Sequence, residues 1–272
     1  MKNLNNKVVA ITGAGAGIGR ALAIGFAKHG SHLALGDINQ SGLEETQRLL
    51  NQYPVKVSIH QVDVRSKENL FQFAEDTVTE HGKVNVLINN AGITLQKQFS
   101  SHTIEDLERV IDINLYGVIY GCKAFLPHLR KADGAHIINM SSMAGFMGLP
   151  VQSSYCTTKA AVKAFSESLY TELKCEGIGV TSVHPGAIKT DIMKATLNES
   201  DDIETARKTM DLAMKFALPV DVAANKIINA VLKNKQRLLI GKDSIFFEIF
   251  KRVLPTSSQK LMAYAFSKFK PA

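Results

Sequence analysis

Short apolar runs alternate along the chain with longer segments of helical periodicity. The runs are Lys7 to Thr12, Ser31 to Asp37, Val55 to Val62, Val84 to Asn89, Ala135 to Met140, Gly179 to Val183 and Arg237 to Ile240. Near-continuous apolarity predicts strands covered on both faces, as in a parallel sheet. Between them, helices are predicted from Ile18 to His29 (ended by Gly30), Gly42 to Asn51, Ser66 to His81, Ile104 to Arg130 and Val220 to Lys233. Another carries Tyr155 and runs to about Glu176, and residues 191–218 read as a mobile helical insertion. Right-handed crossovers then give an α/β, doubly wound, mostly parallel, Rossmann-like sheet of seven strands, with helices on both faces. Ligands bind such sheets at the carboxyl ends of the strands.

The last stretch is patterned differently, so the expected division is an α/β body over residues 1–242 and an amphipathic helical extension over 243–272. From Ser244 to Leu254, Ile245, Phe246, Phe247, Ile249, Phe250, Val253 and Leu254 fall on one broad helical face. Ser244, Glu248, Lys251 and Arg252 lie opposite. After Pro255, Leu261, Met262, Ala265, Phe266 and Phe269 group again, with Lys260, Lys268 and Lys270 at the margins. Such helices pack on the body or on a sister subunit, giving a homo-oligomer (dimer or tetramer), or lie on an anionic membrane surface.

Charge sharpens this picture. The 272 residues carry a net +7, but residues 226–272 hold 10 Lys/Arg and 2 Asp/Glu, and the rest is close to neutral. No nucleic-acid motif accompanies the excess, so nucleic acid is not expected as a partner. No apolar run approaches the roughly 20 residues that span a bilayer. The polar start, Met1 to Lys7, has no secretory pattern, so a cytoplasmic protein is expected, with peripheral membrane contact open through the tail. Cys122, Cys156 and Cys175 lack metal-ligand spacing and read as reduced thiols, with no metal site.

Candidate chemistry begins at the first strand, which runs into Thr12-Gly13-Ala14-Gly15-Ala16-Gly17-Ile18-Gly19-Arg20. Glycines permit a tight turn and close backbone approach, and the helix N-terminus that follows suits a pyrophosphate. The spacing departs from G-x-G-x-x-G. Asp37, ending the second strand, can accept from an adenosine ribose and opposes a 2′-phosphate. With no cation at Ala16, Ile38 or Asn39, NAD is expected over NADP, although Arg20 could reach a phosphate. Tyr155 and Lys159 stand one helical turn apart on one face. A nearby ammonium is expected to lower the phenol's pKa and make it a usable base. Ser142, thirteen residues earlier, could hold a substrate oxygen against that phenol.

Together these residues resemble the compact, single-domain form of the short-chain dehydrogenase/reductase family, over roughly residues 5–241. The resemblance rests on Thr12 to Gly19, Asp63-Val64, Asn89-Asn90-Ala91-Gly92, Asn114, Asn139-Met140-Ser141-Ser142, Tyr155-x3-Lys159 and Pro185-Gly186-Ala187-Ile188-Lys189-Thr190. It implies a cofactor site that includes Gly13, Gly17, Ile18, Gly19, Asp37, Asp63, Val64, Asn90, Gly92, Tyr155, Lys159, Pro185, Gly186, Ile188 and Thr190. Asp63 and Val64 would border the adenine, Asn90 the ribose, and Gly186, Ile188 and Thr190 the nicotinamide end. Tyr155 would be general acid/base, Lys159 would bind the nicotinamide ribose, Ser142 would orient substrate, and Asn114 would hold a relay water.

Each residue has a plainer reading beside this one. Asn114 could interrupt a helix by bonding to backbone. Ser141 and Asn89 suit structural turns, Cys156 the core, and His184 a packed or rim position. Met143, Phe146, Met147, Leu149, Val151, Ile93 and Leu95 suggest a greasy substrate wall, with Met193, Leu197, Met210, Leu212 and Met214 on a lid. The expected activity interconverts a small hydrophobic alcohol and its carbonyl. The alternative is a catalytically silent dinucleotide sensor or scaffold of the same fold.

Overall fold

Seven strands form one sheet in the order β3-β2-β1-β4-β5-β6-β7, every neighbouring pair parallel. They are β1 Val8–Thr12, β2 His32–Asp37, β3 Val57–Gln61, β4 Val86–Asn89, β5 Ala135–Met140, β6 Ile178–Pro185 and β7 Arg237–Ile240. This computed structural model describes residues 1, 3–190, 207, 211, 214–215 and 217–269. The predicted insertion lies mostly outside the described residues, including Met193, Leu197, Met210 and Leu212.

Helices α1 (Gly17–Lys28), α2 (Gln40–Leu50) and α7 (Val220–Leu232) are on one face of the sheet. Helices α3 (Lys67–His81), α5 (Gly117–Leu129) and α6 (Ser153–Leu173) are on the other. Strand alternation feeds both cores: Val9 and Ile11 pack with Leu22 and Phe26 of α1, and Ala10 packs with Phe73 and Phe125. This is why the strands read as nearly unbroken apolar runs. No helix among the described residues is long and apolar enough to cross a membrane.

The predicted helix over 104–130 is a single rod with an interruption. It comprises α4 (Ile104–Ile111), a π-helical turn over Asp112–Tyr116, and α5. Its start is held by a capping box, Thr103 with Asp106. Beyond β7, α8 (Lys242–Val253) and α9 (Ser257–Phe269) form the extension.

The sheet reverses direction of growth at β1, which pairs with β2 on one side and β4 on the other. The carboxyl ends of β1 and β4 therefore flank the switch-point crevice. The glycine turn leaves β1 there, Asn90-Ala91-Gly92 leaves β4, and the register Asn89↔Asn139 brings Ser141 and Ser142 beside them.

Candidate active site

The glycine turn is held open by its backbone. Gly13 and Gly17 have φ of +67° and +52°, the left-handed region that disfavours side chains. Ala16 stands at the N-cap of α1 and supplies no side-chain cap, and the first turn holds no acid. Helices α2, α3 and α4 are each capped by a side chain, from Asn39, Ser66 and Thr103. The N–H groups that open α1, around Gly17, Ile18 and Gly19, are thus left for an anion. A side chain on Gly19 would run into the Gly13 carbonyl.

Asp37 sits where the sequence placed it. One carboxylate oxygen accepts from the Gly15 N–H at 2.8 Å and the other from Asn39 N–H at 2.9 Å. Arg20, the competing phosphate ligand, is turned inward: it donates to the Gly15 carbonyl and, at 3.0 Å, to Thr46 Oγ1. Asn90 ties the two crevice loops together, donating through Nδ2 to the Thr12 and Gly13 carbonyls, each at 3.0 Å. Asp63 is chelated by Arg65, whose hydrogen bonds hold its carboxyl below the usual range. Val64 beside it is buried.

At the other end, Pro185 closes β6 and Gly186 N–H donates to the Ile240 carbonyl at 2.8 Å. Ile188 bridges to Leu218, and Thr190 approaches Gly17. The loop over residues 186–190 thereby reaches across to the glycine turn.

Tyr155 and Lys159 share one face of α6, and the Lys159 ammonium lies 5.7 Å from the centre of the Tyr155 ring. Ser142 Oγ accepts from Ala144 N–H at 3.2 Å, and the same hydroxyl lies beside the phenol, whose pKa it lowers. Lys159 Nζ donates to the Met140 carbonyl at 2.9 Å, and burial pulls its pKa down to about 8. Burial also raises the Tyr155 pKa above the ordinary phenol value, with Ser142 opposing the shift. This corrects the expectation that Lys159 lowers it: both groups are desolvated, and the ammonium is aimed at a carbonyl rather than at the phenol oxygen.

Asn114 falls in the π-helical turn, fully buried. Its amide pairs with the Ile93 backbone in both directions, Oδ1 accepting at 2.9 Å and Nδ2 donating at 2.8 Å. The plainer reading of Asn114 is therefore real. It coexists with closeness to the site, since a Cβ on Gly92 would lie 3.0 Å from Asn114 Oδ1 and 3.4 Å from Lys159 Nζ.

Ser141 supports the turn, donating to the Lys159 carbonyl at 2.7 Å. Asn89 bonds Asn139 at 2.8 Å inside the core, and Cys156 is buried. All three cysteines are free thiols. Of the expected greasy wall, Leu95 and Met147 are buried core, whereas Ile93, Met143, Leu149 and Val151 are half-buried. Val151 has φ of +56°, unusual for a β-branched residue.

His184 does more than pack. It is buried, its ring lies 4.5 Å from that of Phe146, and burial lowers its pKa to about 3. Its Nδ1 meets the Ser142 carbonyl at 3.3 Å and its Nε2 meets Ser182 Oγ at 2.9 Å. A carbonyl only accepts, so Nδ1 carries the proton and Nε2 accepts from Ser182. Arg237 covers the other side of the system, 4.7 Å from the Phe146 ring. Asp243 was missed by sequence reasoning: at the first turn of α8, it accepts from Ala187 N–H at 2.7 Å. The available signal was an acid at a helix start, which favours bonding to free N–H groups.

Residues 7–201 match the family described as short chain dehydrogenase. A putative oxidoreductase SadH of Mycobacterium tuberculosis is 36% identical over 274 aligned positions, covering 100% of this chain and 99% of that one. Epidermal retinol dehydrogenase 2 of Homo sapiens is 35% identical, covering 96% of this chain and 82% of its own. Among solved structures, a short chain dehydrogenase/reductase from Burkholderia phymatum in complex with NAD superposes with a TM-score of 0.86 at 25% identity, covering 93% and 95% of the two chains. Levodione reductase gives 0.81 at 26% identity, covering 89% and 98%. Sheet order, crevice and relatives agree, and the chain belongs to the short-chain dehydrogenase/reductase family of oxidoreductases.

Proposed function

We propose that this protein interconverts a small hydrophobic alcohol and its ketone or aldehyde, using NAD in preference to NADP. One observation carries the reading. The half-buried Tyr155 phenol and the buried Lys159 share one face of α6 beside Ser142, in the crevice entered by an uncapped helix N-terminus. The nicotinamide cofactor would supply the hydride chemistry. The open N–H groups of α1 fit its pyrophosphate and the Asp37 carboxylate fits its ribose.

The protein's own share is proton handling and orientation. Ser142 holds the substrate oxygen beside the phenol. With its pKa raised by burial, Tyr155 carries its proton at neutral pH, the form that donates to a carbonyl oxygen as it is reduced. In the reverse direction the phenolate accepts the alcohol's proton. Lys159 fixes the charge beside the phenol from its seat on the Met140 carbonyl. Asn114, anchored on Ile93 next to Gly92, stands where a water could pass protons outward from Lys159.

The half-buried Ile93, Met143, Leu149 and Val151, on the loops that follow β4 and β5, support an apolar substrate. The human relative's name points the same way, because retinol is an apolar alcohol. Asp37 opposes the 2′-phosphate of NADP electrostatically, and Arg20 is occupied by Gly15 and Thr46. The Burkholderia relative was solved with NAD.

The test is turnover of an alcohol and ketone panel followed by NADH absorbance, with fluorescence titration of both reduced cofactors. NADH should bind at least about tenfold more tightly than NADPH, and Asp37→Ala with Ile38→Arg should reverse the order. Tighter NADPH binding by the unmodified protein would reject the cofactor assignment. NADH binding without turnover of any panel member would favour the silent sensor.

A further inference from the structure

Helix α8 is seated with its polar side inward. Ser244 and Glu248 are its buried residues. Ser244 Oγ donates to the His184 carbonyl at 2.8 Å, and Glu248 is paired with Arg237 and Arg252. Asp243 is bound to the Ala187 N–H. These bonds set the rotation of the helix, and turning it over would strand Ser244 and Glu248. Most of the apolar residues consequently face out: Ile245 is 44% exposed, Phe246 58%, Ile249 56% and Val253 70%, with Phe247 and Phe250 half-buried. Helix α9 continues the surface with Leu261 at 52% and Tyr264 at 61%. Of the alternatives open for this face, packing on the body does not cover these residues, and the reason is the buried polar anchor.

Charge divides the same way. Residues 242–272 contain six Lys/Arg and two acids, Asp243 and Glu248. Both acids are used inward, Glu248 pairing with Arg252 as well as Arg237, whereas Lys242 and Lys260 are exposed. The outward surface of the extension therefore combines apolar and basic side chains without a matching outward acid among the described residues.

We propose that this outer face of α8 and α9 docks on an anionic lipid bilayer, lying in the headgroup region as a peripheral contact. Apolar side chains at the acyl boundary with bases around them are what such a surface binds. A second copy of the chain is the weaker occupant, because a two-fold contact would set the same basic surface against itself. The docked face adjoins the site: Gln259 Nε2 of α9 donates to the Gly148 carbonyl at 3.0 Å, in the loop that follows Ser142.

Flotation of the full-length protein with vesicles tests this, using phosphatidylcholine alone or mixed with phosphatidylglycerol. Binding to the mixed vesicles should exceed that to pure phosphatidylcholine by at least about tenfold and weaken as salt rises. Phe246→Ser with Ile249→Ser should lower it by about tenfold or more. Lys242→Glu with Lys260→Glu should abolish the preference for the anionic lipid. All of these positions are exposed, and an unchanged melting temperature confirms folding. Sedimentation velocity over a dilution series runs in parallel. Failure of the unmodified protein to float with the mixed vesicles at low salt overturns the proposal. A dimer broken by Phe246→Ser with Ile249→Ser, without vesicle binding, also overturns it and assigns the face to a sister chain. Equal flotation of variant and parent overturns it as well, by placing the lipid contact elsewhere. Flotation needs neither cofactor nor substrate, so its result is separable from that of the turnover assays.

Discussion

Helices α6 and α8 both bury polar side chains beside the carboxyl ends of the strands, with opposite results for their apolar residues. Helix α6 buries Thr158, Lys159 and Ser166 together with Val162 and Leu173. Lys159 bonds to Met140, Thr158 bonds within α6 and to Asn114, and Ser166 bonds Asn139 and Val162. Helix α8 fully buries only Ser244 and Glu248 and leaves Ile245, Phe246, Ile249 and Val253 exposed. Buried polar groups must be paired, whereas an apolar face can wait for a partner outside the chain. In α6 the pairing concentrates reactive groups; in α8 it exposes a surface.

The widest separation between the two regions should appear in catalysis. Tyr155→Phe should lower kcat by about 10²- to 10⁴-fold while leaving NADH binding within about twofold, because only the proton-transfer group is lost. Substitutions in α8 that spare Asp243, Ser244 and Glu248 should leave turnover of a soluble substrate near the parent value. Parent-like turnover by Tyr155→Phe would dissolve the distinction and the mechanism with it.

Stability should separate the body from the extension almost as widely. Phe125 is fully buried, edge-on to Phe73 at 5.3 Å, so Phe125→Ala should cost about 3–5 kcal/mol in urea unfolding. Ile249→Ala, at an exposed position, should stay within about 0.5 kcal/mol in vesicle-free buffer. A core-sized loss at Ile249 would mean that its face is covered after all.

The last comparison concerns pH, and His184 touches both regions. Its side chain meets the Ser142 carbonyl, and its own carbonyl accepts from Ser244. Burial lowers the pKa of His184 and of His136 to about 3. The unfolded chain takes up these protons near pH 6.5, before the folded chain does, so stability should fall as pH drops from about 6.5 toward 3. The expected slope is about 1.4 kcal/mol per pH unit for each histidine. Urea midpoints at pH 7 and 5 measure it, and His184→Asn should flatten the dependence. An unchanged slope in that variant would remove His184 from the account.

The strands were legible because burial on both faces leaves an almost uninterrupted apolar signature; Ala135–Met140 and Arg237–Ile240 came out residue for residue. The Tyr155 and Lys159 pairing followed from helical spacing alone. An interruption at Asn114 was open in the sequence as a bond to backbone, but its partner, the Ile93 backbone 21 residues away, was not visible. Arg20 read as a possible phosphate ligand because nothing local announces Thr46 as its partner.

By itself, then, the sequence determined the order of strands and helices, the glycine turn, the placement of Asp37, and which residues share a face of each helix. These are properties of neighbouring residues and of the periods 2 and 3.6. Only the tertiary structure decided which way a face points and what a charge meets. The inward seat of Ser244 and Glu248, the raised phenol of Tyr155 and the lowered Lys159 all depend on desolvation and on partners distant in sequence, whose combined effect no local pattern contains.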